Sequence, residues 1–260
     1  MSLIKLYFLS CGVLESEKHY FTLGRGQGEA FHVPVPFFYV DHPHGKVLLD
    51  TGNAQRVSVD PHAHWGAAAQ AYFPRMRPAD FAVNQLATLG VAPEAITHVV
   101  LSHLHLDHAG AIGAFPNARL IVQGAEYDWA FSAENTQKGA YIQADLAAPR
   151  AGQWQRIDGA LDLFGDGSIC AFPTPGHTPG HQSFLVRLAS GERFVLAGDA
   201  CYTTENLDED IPPGLVWDEV ASRASLNAIR LQARNEGARV IVGHDPDAWR
   251  ACRLAPGFYS

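Results

Sequence analysis

The most constraining feature of this chain is the segment His-Leu-His-Leu-Asp-His at residues 103–108, directly after an apolar run. It places three imidazoles and a carboxylate within six positions. In an extended or tightly turning segment, His103 and His105 project the same way, while Asp107 and His108 face a second centre. Zinc and similar divalent cations prefer imidazole nitrogen and carboxylate oxygen as ligands. The segment therefore predicts a metal site in which one loop serves two ions.

Three later segments share a second pattern, in which a short apolar run is followed, after a glycine, by a potential ligand. These segments are residues 169–177, 193–199 and 239–244, which end at His177, Asp199 and His244. Short aliphatic and β-branched runs bounded by glycine are typical of strands. Because each polar side chain follows a strand end, we expect these side chains to gather at one rim of a sheet assembly.

Together these motifs closely resemble the metallo-β-lactamase superfamily. Its dinuclear site uses His-x-His-x-Asp-His, then a distant His, a bridging Asp and a final His, and this chain has a matching residue in every position. The resemblance implies an α/β fold, an αββα sandwich of the metallo-β-lactamase type. It also implies a first metal held by His103, His105 and His177, a second metal held by Asp107, His108 and His244, and a bridging Asp199.

Within that superfamily the chain is most similar to the N-acyl homoserine lactonases, nearly end to end. The similar segments include residues 48–52, 102–110, 174–177, 199–203 and 243–245. The metal motif alone indicates the superfamily, whereas Tyr202, three residues after Asp199, narrows the similarity to lactonases. The resemblance implies a metal-dependent quorum-quenching hydrolase that opens the lactone ring of N-acyl homoserine lactones by attack of a hydroxide held between the two metals.

This reaction assigns roles to three catalytic residues. Tyr202 would donate a hydrogen bond to the negative charge that develops on the carbonyl. Asp107 would be both a ligand and the acceptor that passes a proton to the leaving alkoxide, and Asp199 would hold the two ions together. His181 is expected to orient a ligand or to pack in the core, and Asp50 to orient a ligand or to form a turn. The metals are the only cofactor expected.

Bulk properties set the class of protein. A chain of 260 residues that is 47% hydrophobic, with no Pro/Ser-rich linker, predicts a single metallo-hydrolase domain over residues 1–260. The net charge of −8 argues against nucleic acid as a partner. Residues 1–11 are expected to hold the first strand rather than a leader or a membrane span. Four cysteines without Cys-x-x-Cys spacing predict reduced thiols in a cytoplasmic protein. Cys201 is not expected to bind metal.

The apolar pattern predicts the secondary structure. Strands are expected near residues 4–10, 34–40, 46–50, 97–102, 119–122, 169–173, 183–188, 193–197 and 239–242. Helices are expected at Ala79–Leu89, Ala109–Ala114, Ala125–Phe131 and Asp218–Glu236. A weak internal similarity relates residues 98–103 to 239–244 and residues 47–50 to 195–199, which favours a fold of two similar halves.

Several other segments allow two interpretations. The pairs His42/His44 and His62/His64 are expected in loops without catalytic duty. Residues 65–76 include Trp65, Tyr72, Phe73 and Met76, and either pack in the core or, as the resemblance implies, line the acyl side of a pocket. The glycine-rich residues 24–28 are expected to form a loop that borders the site.

Alternatives to the lactonase interpretation remain. The substrate could be another lactone or ester, such as a pyridoxolactone-like or γ-butyrolactone ring, because the motifs describe the hydrolytic machinery and not the ring. Thioester hydrolysis is disfavoured because only 16 residues follow His244. A di-metal redox protein is also disfavoured, since di-iron relatives typically carry a glutamate in place of His105. Zinc is the expected metal, with cobalt, manganese or iron as alternatives, and the related lactonases include both monomers and homodimers.

Overall fold

A computed structural model describes residues 3–137 and 139–260. Residues 1, 2 and 138, which belong to the predicted 1–260 domain, lie outside the described residues. The strands are β1 (Lys5–Glu17), β2 (Ala30–His42), β3 (Gly45–Leu49), β4 (Phe73–Arg75), β5 (Ile96–Val100), β6 (Arg119–Gln123), β7 (Trp154–Ile157), β8 (Leu161–Asp162), β9 (Ile169–Pro173), β10 (Gln182–Arg187), β11 (Arg193–Leu196) and β12 (Arg239–Ile241).

The helices lie between groups of these strands along the chain, except α8, which follows β12. They are α1 (Pro61–Trp65), α2 (Ala68–Ala71), α3 (Ala82–Thr88), α4 (Gly124–Ala130), α5 (Gln143–Leu146), α6 (Thr204–Glu209), α7 (Glu219–Glu236) and α8 (Pro246–Arg250). In the described part of the chain, none of the helices combines the length and the apolar character needed to cross a bilayer.

Two sheets face each other. The first has the strand order β4-β1-β2-β3-β5-β6-β7 and the second β12-β11-β10-β9-β8. Apolar side chains from both sheets, among them Leu6, Phe8, Phe194 and Leu196, form the core between them. Strands of alternating pattern bury one face in this way and leave the other for helices.

Each sheet is covered on its outer face. Helices α1 to α5 pack on the seven-stranded sheet, where Leu86 and Trp65 meet Val99 and Leu120. Helix α7 covers the five-stranded sheet by packing Leu226 and Ile229 against strand residues. The layers are therefore helix, sheet, sheet and helix, which confirms the predicted αββα sandwich.

All nine predicted strands are present, and the turn at His42 and Gly45 joins β2 to β3 as an antiparallel hairpin. The predicted helices over residues 79–89, 125–131 and 218–236 are also present, as α3, α4 and α7. Strands β4, β7 and β8 were not predicted. They have only three, four and two residues, too few for an alternating pattern to be recognised.

Two predictions of local structure are wrong. The segment 109–114 forms turns that end in a short 3₁₀ helix, because two consecutive amides donate to a distant loop: Gly110 N–H to Gly52 O and Ala111 N–H to Thr51 Oγ1. The residues around His62 and His64 form helix α1 rather than a loop. Asp60 caps this helix by accepting from Ala63 N–H, and Pro61 is its first residue.

The weak internal similarity corresponds to structure. In the first sheet β3 lies parallel to β5, and in the second β11 lies parallel to β12. Each of these four strands is followed by a polar residue. By the internal similarity, Asp50 after β3 corresponds to Asp199 after β11, and His103 after β5 corresponds to His244 after β12. The two halves thus deliver polar side chains from equivalent strand ends.

The core between the sheets predicts a contrast between two leucines. Leu6 is fully buried in that core, whereas Leu231 on α7 is 56% exposed. We expect Leu6→Ala to lower the free energy of unfolding by about 2–5 kcal/mol. The matched Leu231→Ala should change it by about 0.5 kcal/mol or less. Urea unfolding followed by circular dichroism measures both, and equal effects would contradict the assigned core.

Candidate metal centre

The predicted ligands follow the carboxyl ends of four strands. Residues 103–108 follow β5, while His177, Asp199 and His244 follow β9, β11 and β12. Strand β9 runs in the same direction as β11 and β12, because β9 and β11 are both antiparallel to β10. Gln182 joins the two sheets at this edge by donating its N–H to Ser102 O at 2.9 Å. All seven predicted ligands consequently lie close together.

The first group of ligand atoms consists of three imidazole nitrogens and a carboxylate oxygen. His177 Nε2 lies 3.2 Å from His103 Nε2 and 2.9 Å from His105 Nδ1. Asp199 Oδ2 lies 3.4 Å from His177 Nε2 and 3.6 Å from His103 Nε2. These spacings suit a tetrahedral cation, whose ligands at about 2.1 Å from the metal lie roughly 3.4 Å apart.

The second group contains Asp107, His108 and His244. Asp107 Oδ2 lies 3.7 Å from the Nε2 atoms of both His108 and His244. The other oxygen of Asp199, Oδ1, lies 3.1 Å from each of the same two nitrogens. Asp199 therefore turns one oxygen toward each group, which is the geometry of a bridging carboxylate.

The ring nitrogens that face away from these groups are held by acceptors. His177 Nδ1–H donates to Leu215 O at 2.8 Å, and His244 Nδ1–H donates to Pro34 O at 2.7 Å. Such bonds leave the Nε2 lone pair free to coordinate a metal. Within the described residues, His108 Nε2 and Asp199 Oδ1 are buried without a hydrogen-bond partner. Two groups of inward-facing ligand atoms, with unpartnered atoms in the second, fit two divalent cations.

The electrostatics of the cluster favour the same interpretation. Burial lowers the pKa of His103 and His105 well below the usual value, so both rings are neutral near pH 7. Burial opposes charge on His108 as well, but the carboxylates of Asp199, Asp107 and Asp50 raise its pKa well above the usual value. Burial opposes the ionised form of Asp199, yet the imidazoles around it hold its pKa well below the usual value. The carboxylates of the centre are thus stabilised by neighbouring positive charge, a role that a bound cation can take.

Asp50 orients one of the predicted ligands. Its carboxylate accepts from His108 Nδ1–H at 2.9 Å, and from Ser102 through both the backbone N–H and the hydroxyl at 2.7 Å. Asp50 has a φ of +58°, in the left-handed region that aspartate tolerates better than most residues. The strand end therefore turns sharply so that this buried carboxylate reaches behind His108.

His181 and Cys201 are close to the ligands without belonging to either group. His181 Nε2 accepts from the backbone N–H of Asp199 at 3.0 Å, and its Nδ1 contacts Thr174 Oγ1 at 2.9 Å. It therefore fixes the bridging residue through the backbone. The Cys201 thiol is buried and points to Thr203 O at 3.4 Å, among the apolar residues that pack against α7. Burial raises its pKa, which disfavours a thiolate ligand.

A pocket of about 840 Å³ opens over the two groups. Among the predicted ligands, His105, Asp107, His177, Asp199 and His244 line it. Tyr202 also lines it, and the Tyr202 hydroxyl lies 3.3 Å from His177 Nδ1. Burial and nearby carboxylates raise the pKa of Tyr202 well above the usual value, so the phenol keeps its proton. Tyr202 is thus a hydrogen-bond donor at the end of the pocket that the predicted ligands line.

Residues 65–76 were predicted either to line a pocket or to pack in the core, and the segment does both. Tyr72, with Ala67 and Ala68, lines the pocket. Trp65 and Met76 are instead buried in the core beneath it. The remaining walls of the pocket are largely apolar and contain Leu14, Phe21, Leu106, Trp129, Leu215, Val216 and Trp217.

Two other predictions concern the surroundings of the pocket. The residues described as lining it do not include the glycine-rich loop 24–28, in which Arg25 pairs with Glu205 and Glu209. They also do not include His42, which stacks on Phe164 and contacts Asp166. The loop was therefore predicted too close to the site, whereas His42 lies away from it as expected.

Glu126 is a component of the site that the sequence did not reveal. This fully buried carboxylate accepts from Leu104 N–H at 3.0 Å, between His103 and His105, and from the hydroxyl of Thr178, next to His177. Tyr141 OH also donates to Glu126 at 3.2 Å. Burial raises the pKa of Glu126. A lone glutamate near the start of a helix carries no sequence signal for this role, because its donors come from segments far apart in the chain.

This geometry predicts the effect of Glu126→Gln. The amide replaces one of the two accepting oxygens with an NH2 group, so one of the two ligand loops loses its acceptor, which costs about 1–3 kcal/mol. We expect lower retention of metal after dialysis, measured by plasma mass spectrometry, and a lower free energy of unfolding. The exposed Glu94→Gln is the matched control. Metal retention equal to that of the control would rule out the assigned role.

Comparisons with known proteins agree with this geometry. Residues 32–244 match the family model described as metallo-beta-lactamase superfamily. The chain is 43% identical to the N-acyl homoserine lactonase AttM of Azorhizobium caulinodans and 42% identical to AttM of Agrobacterium fabrum, over 100% of each chain. It is 28% identical to the N-acyl homoserine lactonase AiiA of Bacillus thuringiensis subsp. kurstaki, over 99% of this chain and 100% of that protein.

A solved structure is similar over the same length. It is an N-acyl homoserine lactone hydrolase with the product N-hexanoyl-L-homoserine bound at its catalytic metal centre, and it matches with a TM-score of 0.88 and 28% identity over 100% of both chains. The fold, the paired ligand groups and the full-length similarity lead to one conclusion. This chain belongs to the metallo-β-lactamase superfamily and, within it, to the N-acyl homoserine lactonase family.

Proposed function

We propose that this protein hydrolyses the lactone ring of N-acyl homoserine lactones and so quenches signals that depend on them. The observation that carries the proposal is the bridging position of Asp199 between two inward-facing ligand groups at the base of an apolar pocket. A lactone is an ester, and ester hydrolysis needs an activated water and a polarised carbonyl. The apolar walls suit an acyl chain attached to the ring.

The relatives support this substrate class. The AttM proteins, at 41–43% identity, are all N-acyl homoserine lactonases. An AiiA variant with a TM-score of 0.88 holds N-decanoyl-L-homoserine at its active site, and another related hydrolase holds the hexanoyl product. Products of different chain length in similar folds support a pocket that accepts a range of acyl chains.

The metal ligands are proposed as a set. His103, His105 and His177 would hold one ion, Asp107, His108 and His244 the other, and Asp199 would bridge them. Three imidazoles with a carboxylate favour zinc, although cobalt, manganese or iron suit the same donors. When bound, two such cations supply a nucleophilic water near neutral pH and Lewis acidity toward the carbonyl oxygen.

Tyr202 would stabilise the negative charge that forms on the carbonyl oxygen as the ring carbon becomes tetrahedral. Its hydroxyl is protonated and lines the pocket beside His177. A donor aimed at developing charge in a buried site accelerates the reaction, because the hydrogen bond strengthens in the transition state.

Asp107 would carry the proton. The attacking water loses a proton as its oxygen bonds to the carbonyl carbon, and the ring C–O bond then breaks to give an alkoxide. Asp107, which lines the pocket within 3.7 Å of His108 and His244, can accept that proton and return it to the alkoxide. The products are a carboxylic acid and a hydroxyl, which together account for one added water. The acid then ionises to a carboxylate and releases one proton to solvent.

Two broader features belong to the same proposal. Full-length similarity to the AttM proteins supports one metallo-hydrolase domain over residues 1–260. The four cysteines are all free thiols, two of them buried, which favours a cytoplasmic protein.

The substrate assignment predicts the outcome of a panel. Metal-replete protein should release acid, followed in a pH-stat, from C4 to C12 acyl homoserine lactones, and far less from γ-butyrolactone or a pyridoxolactone, which lack the acyl chain. His105→Ala should abolish turnover by removing a predicted ligand. If the acyl homoserine lactones were inert while another ring was consumed, the substrate assignment would fail and the hydrolytic centre would stand.

The role of Tyr202 predicts a separate result. Tyr202→Phe should lower kcat by about 10²–10³, the usual cost of removing one donor to a developing oxyanion. Metal content should be unchanged, since the phenol belongs to neither ligand group. Tyr127→Phe, at a residue that packs on Phe131 and Trp154, is the matched control. Full activity of Tyr202→Phe would exclude the assigned role.

A further inference from the structure

The pocket has a seam where two separate segments of the chain meet. Ala67 and Ala68, next to helix α1, line one side of it, and Gly139 and Ala140 line the other. A Cβ atom at Gly139 would lie 3.2 Å from Ala68 Cβ, so the two backbones approach closely here. Because the side chains at this seam are small, the distance between the two backbones sets the width of the pocket there.

One pair of side chains joins these segments beyond the pocket wall. His64 on α1 places Nε2 at 3.0 and 3.1 Å from the two carboxylate oxygens of Asp145 on α5. The side chains are only 7% and 12% exposed. A shielded hydrogen bond to a carboxylate is stronger than an exposed one, because water competes less for the partners.

The two segments differ in how they are anchored. Residues 139–146 are tied to the metal centre: Ala140 O accepts from Leu106 N–H at 2.9 Å, and Tyr141 OH donates to Glu126. The α1–α2 segment is tied instead to β1, where Ser16 Oγ–H donates to Ala71 O at 2.7 Å. The His64–Asp145 pair is therefore a polar link, among the described residues, between the α1–α2 segment and the segment that is joined to the ligands.

We propose that His64 and Asp145 are positioning residues that set the acyl-chain preference of this pocket. The inference rests on the proposed lactonase function. The ring must react at the ligand groups, so the acyl chain extends from them along the apolar walls. Release of the α1–α2 wall removes the apolar contact that this wall gives to a long chain, and leaves in place the ligand residues, which belong to other segments.

The test compares His64→Leu, Asp145→Leu and the double variant, which remove the hydrogen-bonding groups, with the wild type on butanoyl- and dodecanoyl-homoserine lactone. We expect KM for the dodecanoyl substrate to rise roughly tenfold, the equivalent of about two methylene groups losing contact. KM for the butanoyl substrate, kcat for both and metal content should stay unchanged. The double variant should match the single variants, because either change breaks the same link. The exposed His62→Leu on the same helix is the control.

A second readout does not depend on the substrate. Hydrogen exchange of residues 61–72 should rise about tenfold in His64→Leu as the segment opens locally, while exchange in helix α3 stays unchanged. Unchanged exchange, or equal rises in KM for both chain lengths, would overturn the positioning role. A wild-type protein inert toward both lactones would instead overturn the proposed function and the chain preference with it, and increased exchange would still establish the link between the two segments.

Discussion

The carboxylate of Asp199 is the interaction on which the rest of the site depends. It is buried, and each of its oxygens faces one imidazole of the 103–108 loop and one imidazole from a later segment. A buried carboxylate stays ionised only when hydrogen-bond donors or positive charges surround it. Bound cations would supply such charge. Its neighbours must be small: a Cβ at Gly243 would lie 2.6 Å from Gly198 O, and one at Gly198 would lie 2.9 Å from His181 Nε2. These glycines let two strand ends approach until Asp199 lies between the ligand groups.

The orientation of the ligands and the shape of the pocket are linked through the same segments. Leu215 accepts from His177 through its backbone oxygen and lines the pocket. Trp217 also lies in the pocket wall. Its backbone N–H donates to Gly176 O at 2.7 Å and so joins this wall to the loop that carries His177. A shift of this wall would therefore also move a proposed ligand. The α1–α2 wall has no such bond to a proposed ligand among the contacts described, which leaves it free to vary with less effect on the reacting groups.

The sequence predicted much of the fold because its strands are short apolar runs bounded by glycine, a local pattern. It failed at residues 109–114, where alanines favour a helix but Gly110 packs against another loop, so that tertiary hydrogen bonds replaced helical ones. It also gave no indication of Glu126. That carboxylate stabilises two ligand loops, yet its partners lie 22 and 52 residues away. No motif records contacts at such distances.

The sequence by itself determined which side chains can bind metal, because the ligands of one loop lie within six residues and the others follow recognisable strand ends. It also located, along the chain, the strands that precede these ligands. Only the tertiary structure decided how the side chains are aimed. The acceptors behind them, such as Pro34 O behind His244, are backbone atoms available in any sequence. It also decided the width of the pocket, which depends on how closely α1 and α5 pack. The physical reason is that the ability to bind a metal depends on the type of side chain, whereas orientation and shape depend on long-range packing and hydrogen bonds.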